Sequence, residues 1–205
     1  MATYRKYFKR VLRKYFPDDA TIVAAIDAEF AMIQPDFSFA KQSKNPMDRR
    51  MEIAGYFLAT IKILDRKSVD FEQIRVIVVE IAHEYVKPKN RFHAFLKKFP
   101  AKLVGSQLGH RFLRIFKKKV KNLGHTEGFA VDILTDRAET LGFGYGFNII
   151  ECGICKLFKK HNCQKFASIL CEVDYITSNL AGLTLIRTGT IANGAKICDF
   201  RFQKS

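Results

Sequence analysis

All five cysteines of this 205-residue chain lie beyond position 151: Cys152, Cys155, Cys163, Cys171 and Cys198. The same stretch holds the carboxylates Asp174 and Asp199 and the run LIRTGTIANGAKICDFR, from Leu185 to Arg201. Thiols become nucleophiles or metal ligands once deprotonated. Carboxylates hold cationic groups, move protons or bind metals. These residue types, gathered at one end of the chain, mark a candidate site. The remainder reads as scaffold.

Cys152-x-x-Cys155 is a single CxxC pair, whereas a structural zinc site asks for two such pairs or for added histidines. His161 and Cys163 are nearby, but Lys159 and Lys160 flank them. Cys171 and Asp174 are three apart on an expected helix, so their side chains are neighbours on one face. Together they form either a nucleophile and base or two metal ligands. A small buried Cys beside a surface Asp is the plainer alternative. Arg187 shares a strand face with Leu183 and Leu185 by the period of two. An unpaired buried guanidinium is very costly, so Asp174, Asp199 or a ligand carboxylate must pair with it. Cys198 shares a face with Phe200 and Phe202, as core packing would also have it. Asp199 and Arg201 point the other way, as a surface cross-strand pair would.

Cys152, then Cys171-x-x-Asp174, then Leu185-x-Arg187-Thr188-x-Thr190-x-Ala192-x-Gly194-x3-Cys198-Asp199-Phe200-Arg201 resembles the L-2-amino-thiazoline-4-carboxylic acid hydrolase family. The strongest part of the resemblance spans about residues 143–203. It implies a substrate that is a cyclic isothiourea with a carboxylate, opened by water to a carbamoyl amino acid. In that chemistry Cys171 is the expected nucleophile beside Asp174, with Cys198 second. Cys152, Arg187, Thr188 and Asp199 are expected substrate-binding residues, and Arg187 would clamp the carboxylate. More distantly the tail is similar to 4-vinyl-reductase and TRAPP-like small-molecule-binding domains. Some of those hold zinc, but here Arg187 and Thr190 stand where that pattern has a Glu and a Cys. The metal content is open: no cofactor is required, and a divalent metal is the alternative.

The scaffold is 48% hydrophobic and 13% aromatic, with 19 Phe and no Trp. Such a chain can bury a substantial core or line an apolar cavity. The net charge is +15. Arg5, Lys6, Lys9, Arg10, Arg13 and Lys14 cluster near the start, and residues 85–126 contain no acid. That basic segment includes Lys97, Lys98, Lys102, Lys118, Lys119 and Lys121. The field favours anions, and a small anionic substrate is the expected partner. No nucleic-acid motif accompanies the charge, so no specific nucleic-acid partner is expected. No signal peptide is recognisable, and no apolar run is long enough to span a membrane. An odd number of cysteines then points to a reducing cytoplasm.

Helical spacing runs through 3–16, where Pro17 stops it, and through 22–33 toward Pro35. The basic first helix is expected to dock on its own domain rather than on a membrane. Residues 36–46 read as a loop. Helices follow over about 47–64 and from Asp70 to before Pro88, with short ones over 91–98 and 107–121 around Pro100 and Gly105. His83 falls near an apolar helix face and reads as a core histidine. After Gly124 the period becomes two: Phe129 to Ile133 and Phe143 to Ile149 are expected strands. A helix carries Phe166, Ile169, Leu170 and Val173. Strands from Thr184 to Ile191 and Lys196 to Gln203 close the chain, with Asn193-Gly194 as a hairpin turn. The expected fold is α+β, one domain over 1–205: mainly helical over 1–122, then about four antiparallel strands with one or two helices over 128–203. Three readings follow: a hydrolase of cyclic amidines, a non-catalytic small-molecule-binding domain with an apolar pocket, and a binder of acidic surfaces.

Overall fold

A computed structural model of the chain describes residues 4–93, 95, 111, 113–117 and 125–204. The fold is α+β, with helices in the N-terminal half and a four-stranded antiparallel sheet in the C-terminal half.

Helix α1 (Arg5–Tyr15) buries Tyr7, Phe8, Val11 and Leu12, the stripe its 3.6-residue period dictates. It docks on α2 (Ile22–Ile33) and α4 (Phe71–Val86), as expected. Ion pairs rim the contact: Arg5 with Asp27 at 2.9 Å, Arg10 with Glu84 at 3.1 Å and Lys14 with Glu80 at 2.9 Å. Such partly exposed pairs add little, so the apolar stripe holds the helix. Helix α3 (Arg50–Arg66) is buried along most of its length, which is why apolar residues circle it. Glu29 of α2, only 2% exposed, is ion-paired to Lys62 and Arg66 of α3. Helix α4 opens on Asp70, whose carboxylate accepts the Gln73 N–H at 3.0 Å.

Strands β1 (Ala130–Leu134), β2 (Gly146–Glu151), β3 (Leu183–Ile186) and β4 (Cys198–Lys204) stand in the order β1-β2-β4-β3. Phe147 lies opposite Phe200, with stacked rings 4.3 Å apart, and Ile149 lies opposite Cys198. Between β2 and β3 come α5 (Gly153–Lys160) and α6 (Ala167–Leu180). Helix α6 packs on α4 and on β3. One buried cluster runs from α1 through α3 and α4 to α5, α6 and the sheet. No helix among the described residues is long and apolar enough to cross a membrane.

Four expectations change. Residues 34–41 form a 3-10 helix started by Pro35, where a loop was expected. The following turn is not a free loop either. Asn45 donates to the Phe129 carbonyl at 2.8 Å, and Asp48 accepts the Phe129 N–H at 2.9 Å. Both side chains are buried, so they pin the helical half to the start of the sheet. The closing strands are shorter than expected, and Asn193-Gly194 is not a two-residue hairpin. Gly194, with φ of 87°, instead ends a 3-10 turn inside the loop 187–197. The cause is local competition for donors. Asp199 accepts the N–H groups of Thr188 and Gly189, and the Cys198 sulfur accepts that of Ile191. Amides that would extend a ladder are spent on side chains. Finally, His83 is exposed, because its Cα faces away from the Ile74, Ile77, Val78 and Ile81 stripe. Of the short helices expected over 91–98 and 107–121, residues 91–93, 95, 111 and 113–117 are helical. Lys97, Lys98, Pro100, Lys102, Gly105, Lys118, Lys119 and Lys121 lie outside the described residues.

Candidate functional site

A cavity of about 380 Å³ opens between the inner face of the sheet and helices α3, α4 and α6. Ile149 of β2 and Cys198 and Phe200 of β4 form its floor. Helix α3 contributes Ile53, Ala54 and Phe57, with Arg49 and Arg50 at its start. Helix α4 contributes Ala82, Tyr85 and Val86. Helix α6 presents Leu170, Cys171, Val173 and Asp174, and α5 begins at the wall with Cys152 and Cys155. Arg187 completes the lining just after β3. The cavity thus gathers Cys152, Cys171, Asp174, Arg187 and Cys198 from the start of α5, from α6, from just after β3 and from β4.

Arg187 finds its anion in Asp174. Its Nη1 donates to Asp174 Oδ2 at 2.9 Å, and its Nη2 donates to the Cys171 carbonyl at 2.9 Å. Its side chain is 3% exposed and lies over the rings of Tyr175 and Phe200, at 4.9 and 5.0 Å. Burial alone would lower its pKa, but the Asp174 carboxylate more than offsets this and raises it. Nε has no acceptor, and the two ring faces are the remaining compensation for the charge. Asp174 has a second cation, Arg50, at 3.7 Å. Burial pushes the Asp174 carboxyl up, and Arg50 and Arg187 pull it partly back.

The thiols differ by surroundings. Cys152 is the N-cap residue of α5. Its pKa is lowered, first by the Cys155 thiol and then by the N–H groups of Cys155 and Ile154, against burial. The sulfur makes no side-chain cap of standard geometry, so the α5 N-terminus favours the thiolate by proximity and dipole. Gly153 lets the start of α5 pack closely on α3 and on the turn before β1: a Cβ there would stand 2.9 Å from Met51 Sδ and 3.2 Å from the Glu127 carbonyl. Cys155 moves the other way, raised by its hydrogen bond to Cys152 and by burial. Cys171 is pushed up to about 12 by burial, with Asp174 adding and Arg187 opposing. Burial also raises Cys198, whose sulfur accepts the Ile191 N–H at 3.2 Å. Cys163 is buried away from the cavity.

Thr188 and Asp199 stand outside the cavity lining. The Asp199 carboxylate accepts the Thr188 N–H at 3.0 Å, its hydroxyl at 2.8 Å and the Gly189 N–H at 2.9 Å. These bonds fix the loop that follows Arg187. Arg201, two residues along the same strand as Asp199, donates to Asn148 of β2 at 3.0 Å. Among the described residues, no group of three or more His, Cys, Asp or Glu is arranged to hold a metal ion.

Sequence reading missed Arg50 and the pinning pair Asn45 and Asp48. Two arginines opening a helix look like solvated surface. The polar spacing Ser43-x-Asn45-x-x-Asp48 ahead of an apolar helix was the available signal.

No curated protein and no solved structure matches the chain. The family model described as L-2-amino-thiazoline-4-carboxylic acid hydrolase matches residues 49–202. That span begins at Arg49 and passes Phe200, so it takes in every residue named in the cavity lining. On a match covering most of its length and its entire cavity, the chain belongs to the L-2-amino-thiazoline-4-carboxylic acid hydrolase family.

Proposed function

We propose that this chain is a hydrolase that opens a small cyclic isothiourea or amidine bearing a carboxylate, with Cys152 as nucleophile and Asp174 as acid–base group. The observation that carries the reading is the position of Cys152. It faces the cavity at the start of α5, in surroundings that lower its pKa. Cys171, the expected nucleophile, is pushed up to about 12 and has almost no thiolate at neutral pH. The nucleophile therefore moves from Cys171 to Cys152.

The chemistry balances. The Cys152 thiolate adds to the ring carbon between sulfur and nitrogen. The carbon–sulfur ring bond breaks, and a protonated Asp174 delivers a proton to the departing ring sulfur. A protein-bound isothiourea remains. Water adds to the same carbon, Asp174 takes a proton back, and the Cys152 thiolate leaves. The product is a urea, the carbamoyl amino acid. Burial pushes the Asp174 carboxyl up, the direction that favours taking on a proton, while Arg50 and Arg187 favour the anion needed for the second half. Arg187 holds Asp174 in place, and Thr188 and Asp199 brace the loop that carries Arg187. Cys198 supports the floor. Five free thiols suit a reducing cytoplasm, the compartment we assign.

A specific observation also favours a non-catalytic binding domain: the cavity walls are mostly aliphatic and aromatic. One experiment separates the two readings. Loss of 2-amino-thiazoline-4-carboxylate is followed with chelator-treated protein and its variants. The expected result is turnover without added metal. Cys152→Ser should lower it by about a thousandfold or more and Asp174→Asn by about a hundredfold, while Cys171→Ser keeps most of it. Full activity in Cys152→Ser would falsify the assignment. Turnover only after zinc or manganese is restored would recast the thiols and Asp174 as ligands. No turnover in any state favours the binding domain.

A further inference from the structure

The cavity is larger than the family's namesake substrate needs. 2-Amino-thiazoline-4-carboxylate has about nine non-hydrogen atoms. Covalently bonded atoms pack more tightly than separate waters, at about 20 Å³ each against the roughly 30 Å³ of one water, so the nine fill about 180 Å³ and a phenyl ring adds about 120 Å³. The cavity measures about 380 Å³. That lies in the range of pockets that take drug-sized ligands, about 300–1,000 Å³. Away from the polar cluster its walls are apolar: Ile53 and Phe57 on α3, Ala82 and Val86 on α4, and Leu170 on α6.

The polar groups divide the remaining work. Both terminal nitrogens of Arg187 are engaged, by Asp174 and by the Cys171 carbonyl, and its faces are covered by Tyr175 and Phe200. What it has left to offer is its Nε, which is buried and without an acceptor. Arg50 differs. Its side chain is 54% exposed, it lines the cavity, and it approaches Asp174 only to 3.7 Å. Its fork of donors can meet a carboxylate.

We propose that the cavity takes an amphipathic carboxylate. It is a thiazoline-type head bearing an apolar substituent about the size of a phenyl ring, bound with its carboxylate on Arg50 and its substituent against the α3, α4 and α6 walls. The identity of the head rests on the proposed reaction; the anionic group and the apolar substituent rest on the cavity.

Binding in the Cys152→Ser protein tests this without turnover. Two probes are titrated by calorimetry: 2-amino-thiazoline-4-carboxylate and its 5-phenyl derivative, the analogue built on β-phenylcysteine. The phenyl probe should bind about tenfold tighter or more. Adding Arg50→Ala should weaken both probes by a similar factor, about tenfold or more, with partial rescue by Arg50→Lys. Adding Leu170→Phe, which fills the apolar end, should weaken the phenyl probe alone. Ile53→Phe serves the same purpose if Leu170→Phe fails to fold. Equal or weaker binding of the phenyl probe, no binding of either probe, or indifference of both to Arg50→Ala would overturn the proposal. Tight phenyl-probe binding beside a wild-type protein that turns over neither probe would sink the reaction and support this ligand class.

Discussion

At the scale of single residues, one cavity is lined by four thiols whose surroundings favour or oppose the anion to different degrees. Cys152 sits where a helix N-terminus and a neighbouring thiol favour its anion. Cys171 is a few residues into α6, where burial and Asp174 both oppose an anion. Cys198 spends its sulfur on a backbone N–H. Reactivity follows thiolate fraction and access, so iodoacetamide should separate them. At neutral pH, alkylation located by mass spectrometry should appear first at Cys152, with Cys171 and Cys198 slower by about tenfold or more. The sign with pH is fixed by the same environments. The Cys152 rate should rise to its plateau with a midpoint below the ordinary thiol value of 9.0. Cys171 should gain reactivity only as the pH approaches about 12. Faster labelling of Cys171 at neutral pH would return the nucleophile to that residue.

At the scale of elements, the site depends on a loop and a turn that hold long-range geometry. Asp199 is the clasp of the loop 187–197. Burial raises its pKa, but the hydrogen bonds from Thr188 and Gly189 outweigh it and hold the carboxyl below 3.8. A depressed folded-state pKa contributes stability above the unfolded value, and that stability is lost as pH falls through the folded one. Asp199→Ala should therefore lose about 1–3 kcal/mol at neutral pH, read by urea denaturation. The gap to the parent should narrow as the pH drops below 3.8. A gap that is constant with pH would assign the loss to packing alone. Much of this architecture was legible in the sequence. The stripe of α1, the Asp70 cap of α4 and the period-two runs of β1 and β2 are local signals, and local signals survive folding. The pairing of Arg187 with Asp174 was among the options because a buried guanidinium demands an anion. What escaped was set by distance along the chain. Helix α5 is short and opens on Gly153, a weak helix former, so Cys152 did not read as an N-cap. Arg50 reaches the cavity only because α3 packs beside the sheet. The hairpin signal at Asn193-Gly194 lost to Asp199 and Cys198, which take up the amides the turn would have paired.

At the scale of the whole molecule, the charge of +15 is the widest-reaching property. Within the fold, Arg5, Arg10 and Lys14 meet acids on α2 and α4. Arg49 and Arg50 are left at the cavity, beside an Asp174 already shared with Arg187. A positive mouth on a positive molecule raises the local concentration of anions, and salt erases the effect within about 10 Å at 0.1 M ionic strength. For 2-amino-thiazoline-4-carboxylate, kcat/KM should fall a few-fold between about 20 and 500 mM sodium chloride. Its methyl ester, which lacks the negative charge, should change little over the same range. Arg50→Ala should flatten the salt dependence of the carboxylate toward that of the ester, because the local part of the field goes with that side chain. The acidic-surface alternative predicts something steeper. Affinity for a nucleic acid would lose about 0.9 log units per phosphate contact for each log unit of salt, and Arg50→Ala would remove at most one contact from that slope. A flat response to salt for carboxylate and ester alike would mean that the charge serves solubility and plays no part in capture.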